Sequence, residues 1–359
     1  MNISIGNNSI GTEHPTYFIA DIAANHDGSL ERAKELIFLA AEAGANAAKF
    51  QNFVAETIVS DYGFENLNAG LGHQAKWKKS VVEVYREASL PLEWTEELQK
   101  ACDEAEIDYF TTPYDLNLVD YLSNYVCAWK LGSGDITWHE MISKLAKDNK
   151  PLLLATGATT MEEVNLAMDV ALRETNKLVL MQCNTNYTGN IDNISYSALN
   201  VLKTYREKFP NTILGLSDHT PGDMTVLGAV SLGARVIEKH FTDDNNREGP
   251  DHPFAMNPQT WSQMVERTRW LESALGCHEK MVMPNEEETV VVQRRAIRSA
   301  KDLNSGSIIK LEDLVVLRPC PPDALEPYKI DTLIGQRLIR DIPAGDCVRN
   351  EDVECPKSP

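Results

Sequence analysis

The chain has 359 residues, 43% hydrophobic and 24% charged, which is the balance of a folded globular protein long enough for a barrel of about 250 residues plus a small module. Its 53 Asp and Glu against 34 Lys and Arg leave a formal net charge of −19, which argues against a general nucleic-acid or anionic-membrane binder and requires a local basic pocket for any anionic substrate. No run of about 20 apolar residues occurs, the N-terminus has no basic region followed by an apolar stretch, and the seven cysteines (Cys102, Cys127, Cys183, Cys277, Cys320, Cys347, Cys355) show no Cys-x-x-Cys spacing, so a cytoplasmic protein with reduced thiols is expected.

Along the first three-quarters of the chain, short apolar runs alternate with amphipathic stretches, the pattern of parallel strands joined by crossover helices. The expected strands are "TYFIADI" (16–22), "NAAKFQ" (46–51), "DYFTTP" (108–113), "CAWKLGS" (127–133), "PLLLATG" (151–157), "LVLMQCN" (178–184), "TILGLSD" (212–218) and "RVIEKHF" (235–241). Between them, "SLERAKELIFLAAEAG" (29–44) opens on Ser29 as an N-cap and stops at Gly44, and "TTMEEVNLAMDVALRET" (159–175) repeats that logic. Eight strand–helix units predict an α/β fold of the (β/α)8 TIM-barrel type, with its site where the strands end at their C-terminal rim. The segment 61–80 is expected to be an inserted loop over that rim. Gly276 closes the eighth helix, which sets a barrel at 1–280, a linker at 281–293 and a β-rich module at 294–359. Within the module, "KDLNSGSIIKLEDL" and "RDIPAGDCVRNEDV" repeat one phrase and suggest an internal duplication.

The rim carries the chemistry. His219 of "GLSDHT" and His240 of "IEKHF" end consecutive strands, which lie about 4.8 Å apart in a sheet, so they are either hydrogen-bonded spacers or two nitrogen ligands of one divalent metal. Lys49 and Lys130 lie in apolar strand runs, where an unpaired ammonium is costly; anion binding is their simplest use and a Schiff-base lysine the alternative. Strand alternation turns Lys239 away from the side His240 faces. The turns 132–135, 155–159 and 215–220, rich in Gly and hydroxyls, suit a phosphate. Asp21, Asp135, Asp218 and Asp251 are the rim carboxylates, with acid–base, ion-pairing and hydroxyl-orienting roles all open.

In order along the chain, "ADIAANHDGSLERA", "AAKFQNF", "KLGSGDITW", "LATGATTMEEV", "GLSDHTPGD", "IEKHFTDD" and "GPDHPFAMNP" resemble the sialic acid (N-acetylneuraminate) synthase family. The terminal "RRAIRSAKDLNSGSII" and "VLRP" are similar to the antifreeze-like (SAF) domain of those enzymes. The resemblance implies a condensation of phosphoenolpyruvate with an open-chain N-acylated aminosugar, giving a nine-carbon 2-keto sugar acid and phosphate. It implies a divalent cation, Mn2+ first with Mg2+ or Co2+ as alternatives, on His219 and His240. Those two histidines and the carboxylates Asp21 and Asp135 are the expected catalytic set. Phosphoenolpyruvate contacts carry over to Lys49, Thr112, Lys130, Ser133 and Ser217, and sugar contacts to Gln51, Tyr187, Asp251 and Arg318. Since the family's arginine reaches into a partner's barrel, a domain-swapped homodimer is implied.

Several positions depart from the family pattern. Asp21 and Asp135 stand where many members carry glutamate, Ala155 where a serine can assist phosphate binding, Thr185 at the usual asparagine position, and "CPPDAL" follows Arg318 and Pro319 in place of a Gly-rich turn. All but Ala155 fall toward the sugar end, which points to an acceptor other than N-acetylmannosamine, of the legionaminic or pseudaminic type. A Schiff-base aldolase acting on pyruvate and a sugar-binding barrel without catalysis are the competing readings.

Overall fold

The structure, a computed structural model, describes residues 2–67 and 79–354. It divides into two compact units, Met1–Gly276 and Cys277–Pro359. The chain opens with a hairpin absent from the expectation, β1 (Asn2–Ile5) and β2 (Asn8–Gly11). Here "ISIGNNSI" alternates apolar and polar residues around Gly6, whose φ of +52° suits a tight turn, and it buries Ile3, Ile5 and Ile10 in the barrel's core.

Eight parallel strands follow: β3 (Tyr17–Asp21), β4 (Ala47–Asn52), β5 (Asp108–Pro113), β6 (Trp129–Leu131), β7 (Leu152–Ala155), β8 (Leu178–Cys183), β9 (Ile213–Asp218) and β10 (Val236–His240). They close into a barrel, each strand pairing with its sequence neighbours and β10 returning to β3. Each expected run overlaps one of them, with ends that shift by at most two residues. Every residue of β3, β7, β8, β9 and β10 is buried, because helices cover one face and packed side chains fill the other.

The outer helices begin where the sequence supplies a cap. Ser29 accepts the Arg32 N–H at the start of Leu30–Glu42, Thr160 and Glu163 form a capping box for Met161–Glu174, and Asn257 caps Pro258–Leu275, which stops at Gly276. Within the expected insertion, Ser60 caps the short helix Asp61–Glu65 and Ser80 caps Val81–Ala88; residues 68–78 lie outside the described residues. Among the described residues no helix is long and apolar enough to cross a membrane, and the six cysteines are all free.

Register assembles the site. Parallel pairing sets His240 beside Asp21, Asp21 beside Lys49, Glu238 beside Ser217, and Gln51 beside Thr112. At the opposite end, Asp108 at the start of β5 accepts from Asn8 (2.9 Å) and the Tyr17 hydroxyl (2.6 Å), fastening the hairpin beneath the barrel.

In the second unit, β11 (Ala296–Ser299) pairs antiparallel with β12 (Leu314–Leu317). The expected linker contains the helix Glu287–Gln293, and the Cys320 N–H donates to the Val291 carbonyl. The repeated phrase is a structural repeat. Leu303 and Ile342 exchange backbone hydrogen bonds, the Ser305 N–H donates to Asp341, and the Ala344 N–H donates to Asp302. Gly306 and Gly345, at φ +84° and +85°, turn the two halves alike.

Candidate active site

Four buried charges occupy the C-terminal half of the lumen. Lys49 Nζ lies 2.6 Å from Asp21 and 3.9 Å from Glu238, while Lys130 Nζ lies 3.2 Å from the same Glu238 oxygen. Gln51 donates to Asp21 (3.2 Å), Ser217 to Glu238 (3.2 Å), and Lys49 reaches Thr112 at 3.4 Å. Burial opposes each charge, and the partners decide which survive. Burial disfavours the Lys49 ammonium, but Asp21 and Glu238 together hold its pKa above the ordinary lysine value. Burial also works against the Glu238 carboxylate, yet Lys130 and Lys49 hold it down at about 2. Asp21 shifts the other way: burial raises it, Lys49 pulls against that, and the nearby Glu238 charge adds to the rise. Glu238 is thus the fixed anion and Asp21 the carboxylate that more readily takes a proton. Asp135, in the turn after β6, is pushed up to about 6 by burial against the pull of Lys130, and its Oδ2 is buried without a hydrogen-bond partner. Carboxylates pushed apart in this way are the usual basis for separate acid and base roles.

The two glycine turns flanking this layer are tied together. Ser133 accepts the Gly157 N–H at 2.9 Å, and a Cβ on Gly157 would sit 2.9 Å from the Ser133 hydroxyl and 2.6 Å from Thr185. Only glycine lets the backbone approach that closely.

His219 and His240 stand above the charges with ring centroids 5.5 Å apart. The Asn184 carbonyl accepts from His219 Nδ1 at 2.9 Å, which fixes the proton there and leaves Nε2 as a free lone pair. Burial, then His240, pushes His219 down to about 4, and burial lowers His240 as well, so both rings are neutral near pH 7. The Nδ1 of His240 is buried without a hydrogen-bond partner, 3.8 Å from Asp251. Among the described residues no group of three or more His, Cys, Asp or Glu side chains is arranged to hold a metal. Two neutral imidazoles, His219 with its Nε2 lone pair free and His240 with an unpartnered Nδ1, fit an ion held by two nitrogens with its other positions open, as in a catalytic site and unlike a closed structural one.

Beside the histidines opens a cavity lined by Gln51, Tyr187, His240 and Asp251, and walled by Phe53, Ile58, Val84, Tyr85 and Tyr114. The Tyr187 ring packs at a 60° tilt against His219 with centroids 4.3 Å apart, and the Phe254 ring centroid lies 4.9 Å from that of His240. The barrel thus gathers Asp21, Lys49, Gln51, Thr112, Lys130, Ser133, Asp135, Tyr187, Ser217, His219, His240 and Asp251 at one end. Arg318 is an exposed residue of the C-terminal unit, just after β12. Asp218 does not join the rim set. It faces away from the lumen and pairs with the buried Lys239, which also donates to the Thr220 carbonyl at 2.6 Å, because residues 218 and 239 fall on the outward phase of strands whose inward phase carries Ser217, Glu238 and His240.

The NeuB family model matches residues 36–280 and the SAF domain model residues 294–354. The chain belongs to the NeuB family. It is 32% identical to the N,N'-diacetyllegionaminic acid synthase of Legionella pneumophila, over 96% of each chain, and 31% identical to a pseudaminic acid synthase of Campylobacter jejuni, over 98% and 99%. The crystal structure of an N-acetylneuraminic acid (sialic acid) synthetase from Leptospira borgpetersenii superposes with a TM-score of 0.70 at 27% identity, covering 81% of this chain and 95% of that one.

Sequence reasoning on this NeuB chain missed Glu238. The signal was present: in "VIEKHF" the alternation that turns Lys239 outward places Glu238 on the lumen side with His240. The cavity wall was missed for a different reason. Ile58, Val84 and Tyr85 come from the segment after β4, where nothing local marks which apolar residues face a ligand.

Proposed function

We propose that the chain condenses phosphoenolpyruvate with the open-chain form of an N-acylated aminosugar, releasing phosphate and forming a nine-carbon 2-keto sugar acid. The observation that carries this reading is the pair of buried lysines beneath a pair of neutral imidazoles: cationic anchors for a phosphate and a carboxylate, next to a sugar-sized cavity. Lys49 and Lys130 bind the anionic groups of phosphoenolpyruvate, with the hydroxyls of Thr112, Ser133 and Ser217 as further donors. Gln51, Tyr187 and Asp251 orient the acceptor. The electron pair of the C2–C3 double bond forms the new bond from C3 to the carbonyl carbon, whose oxygen takes a proton and becomes a hydroxyl. Water adds at C2, and collapse to the ketone breaks the C2–O bond and releases phosphate. Asp21 and Asp135, with raised pKa values, are the groups to hold and pass these protons. A divalent cation on His219 and His240, Mn2+ first, would supply Lewis acidity to the acceptor carbonyl.

The acceptor reading rests on the cavity. No Lys or Arg is among its described lining residues, and Phe53, Ile58 and Val84 present apolar surface. This favours an uncharged, methyl-bearing distal end, as in a 2,4-diacetamido-6-deoxy sugar, over a sugar phosphate. A Schiff-base aldolase is disfavoured because Lys49 and Lys130 are each ion-paired with a carboxylate, whereas an amine nucleophile must be free and neutral. We also propose that the enzyme is cytoplasmic and works as a domain-swapped homodimer to which Arg318 contributes.

The test is phosphate release from phosphoenolpyruvate, assayed with a panel of acceptors. Release should require both substrates, be abolished by chelator, and be fastest with the 2,4-diacetamido-6-deoxy sugar. Borohydride trapping of pyruvate on the protein, or binding of acceptor without turnover, would overturn the synthase reading; a clear preference for N-acetylmannosamine would overturn the acceptor.

A further inference from the structure

One short loop, residues 22–28, follows β3 and adjoins the acceptor cavity, where it contributes Ala24 to the lining. The loop is held in an unusual shape: Ala23 and Asp27 have φ of +47° and +51°, and Gly28 of +70°. Non-glycine residues adopt such angles only where the surroundings over-determine them. Those surroundings are specific. The Ala24 N–H donates to Asp251 (3.3 Å), Asn25 donates to the Phe241 carbonyl (2.8 Å), and Arg32 donates to the Asn25 carbonyl (2.9 Å) and pairs with Asp27 (3.0 Å).

Two adjacent side chains of this loop then reach in different directions. His26 is fully buried, its ring edge-on to Trp94 with centroids 5.9 Å apart. Its Nδ1 accepts the Gly28 N–H, so the proton is on Nε2, which points toward the backbone of Ala88, at the end of the helix whose Val84 and Tyr85 wall the cavity, without closing a hydrogen bond. Asp27 accepts from Nε2 of His252 at 3.0 Å, while Nδ1 of His252 faces the Thr242 hydroxyl at 2.7 Å. His252 is also fully buried, follows Asp251 directly, and has the turn just before it packed against its ring, since a Cβ on Gly249 would come within 2.6 Å of the ring.

We propose that Asp27 and His252 form a positioning pair that fixes Asp251 and the adjoining wall for the acceptor, with His26 as its counterpart on the opposite side of the cavity. This rests on the synthase reading above. None of the three touches the lysine layer, so their effect falls on one substrate. Positioning through a fixed imidazole explains why a ring with both nitrogens engaged is buried one residue from a cavity-lining carboxylate.

In the intact enzyme, His252→Ala should raise KM for the best acceptor by about tenfold or more while KM for phosphoenolpyruvate changes less than about threefold. His252→Gln, whose amide can accept from Thr242 and donate to Asp27, should recover part of that loss. Asp27→Asn, at an exposed position whose positive φ asparagine also adopts, should show the same split in milder form, and the double variant should be little worse than His252→Ala alone. Equal rises in both KM values, or double-variant losses that multiply, would overturn the pairing. Should the wild-type protein release no phosphate with any acceptor, the synthase reading fails, and the pair is judged instead by calorimetric binding of the 2,4-diacetamido-6-deoxy sugar: unchanged affinity in both Asp27→Asn and His252→Gln would refute it.

Discussion

The two ends of the barrel are built on opposite rules. At the floor, the hairpin brings Asn8 to Asp108, Tyr17 donates to the same carboxylate, and Gly6 passes so close that a Cβ there would fall 1.8 Å from the Asp108 oxygen. At the mouth, polar groups are buried and left incomplete. In the barrel unit, the carboxylate and imidazole atoms buried without a hydrogen-bond partner among the described residues belong to His26, Asp135, Glu238 and His240, and all four are at the mouth. Buried polar groups are normally satisfied, and the two ends differ in which ones are not: at the floor they are the neutral hydroxyls of Thr16 and Tyr109, whereas at the mouth they include carboxylates and imidazoles, the groups that serve ligands.

The strongest way to break this comparison is His240→Ala. Turnover should fall by about 10³-fold or more, the scale expected when a charge-stabilising ion is lost, and bound metal measured after dialysis should drop, while the thermal midpoint hardly moves. Normal turnover in a metal-stripped variant would remove the ion from the mechanism. The same inactive chain tests the dimer: mixed with an Arg318→Ala chain it should regain part of the activity, and no recovery would leave each barrel working alone.

The next effect in size lies at the floor. Asp108→Ala strands the buried Tyr17 hydroxyl and the Asn8 amide, so stability should fall by about 3 kcal/mol, read as a shift of the denaturation midpoint, with KM for both substrates unchanged. A change in KM of the kind expected at the mouth would mean that the two ends are not separable.

The same contrast explains what the sequence disclosed. The eight barrel strands were legible because strands buried on both faces are written as continuous apolar runs, and the rim histidines and lysines stand out inside those runs. The hairpin was passed over because its alternation spans only four residues on each side of Gly6. Glu238 was hidden by its neighbours: a lone acid between Ile237 and Lys239 reads as solvated until the alternation fixed by His240 is carried two residues back. The pairing of Asp27 with His252 joins residues 225 apart in sequence, and neither carries a local signal. What one element writes in its own periodicity can be read; what two loops make by meeting cannot.

The smallest and most discriminating prediction concerns Asp135, where the cost of an unfinished mouth can be measured directly. Its carboxyl is raised by burial from 3.8 to about 6, so only well below pH 4 is it protonated in both folded and unfolded chains and without effect on stability. Between about pH 4 and 6 the unfolded chain gives up this proton while the folded protein still holds it, so stability is lost over that window and the loss is complete above it. Asp135→Asn removes the charge. It should leave the thermal midpoint unchanged near pH 3, raise it by a few degrees at pH 7.5, on the order of 1 kcal/mol, and lower kcat by about 10²-fold. A variant destabilised at pH 7.5 would show that the Asp135 charge is held by partners, and the contrast between the two ends would not extend to this residue.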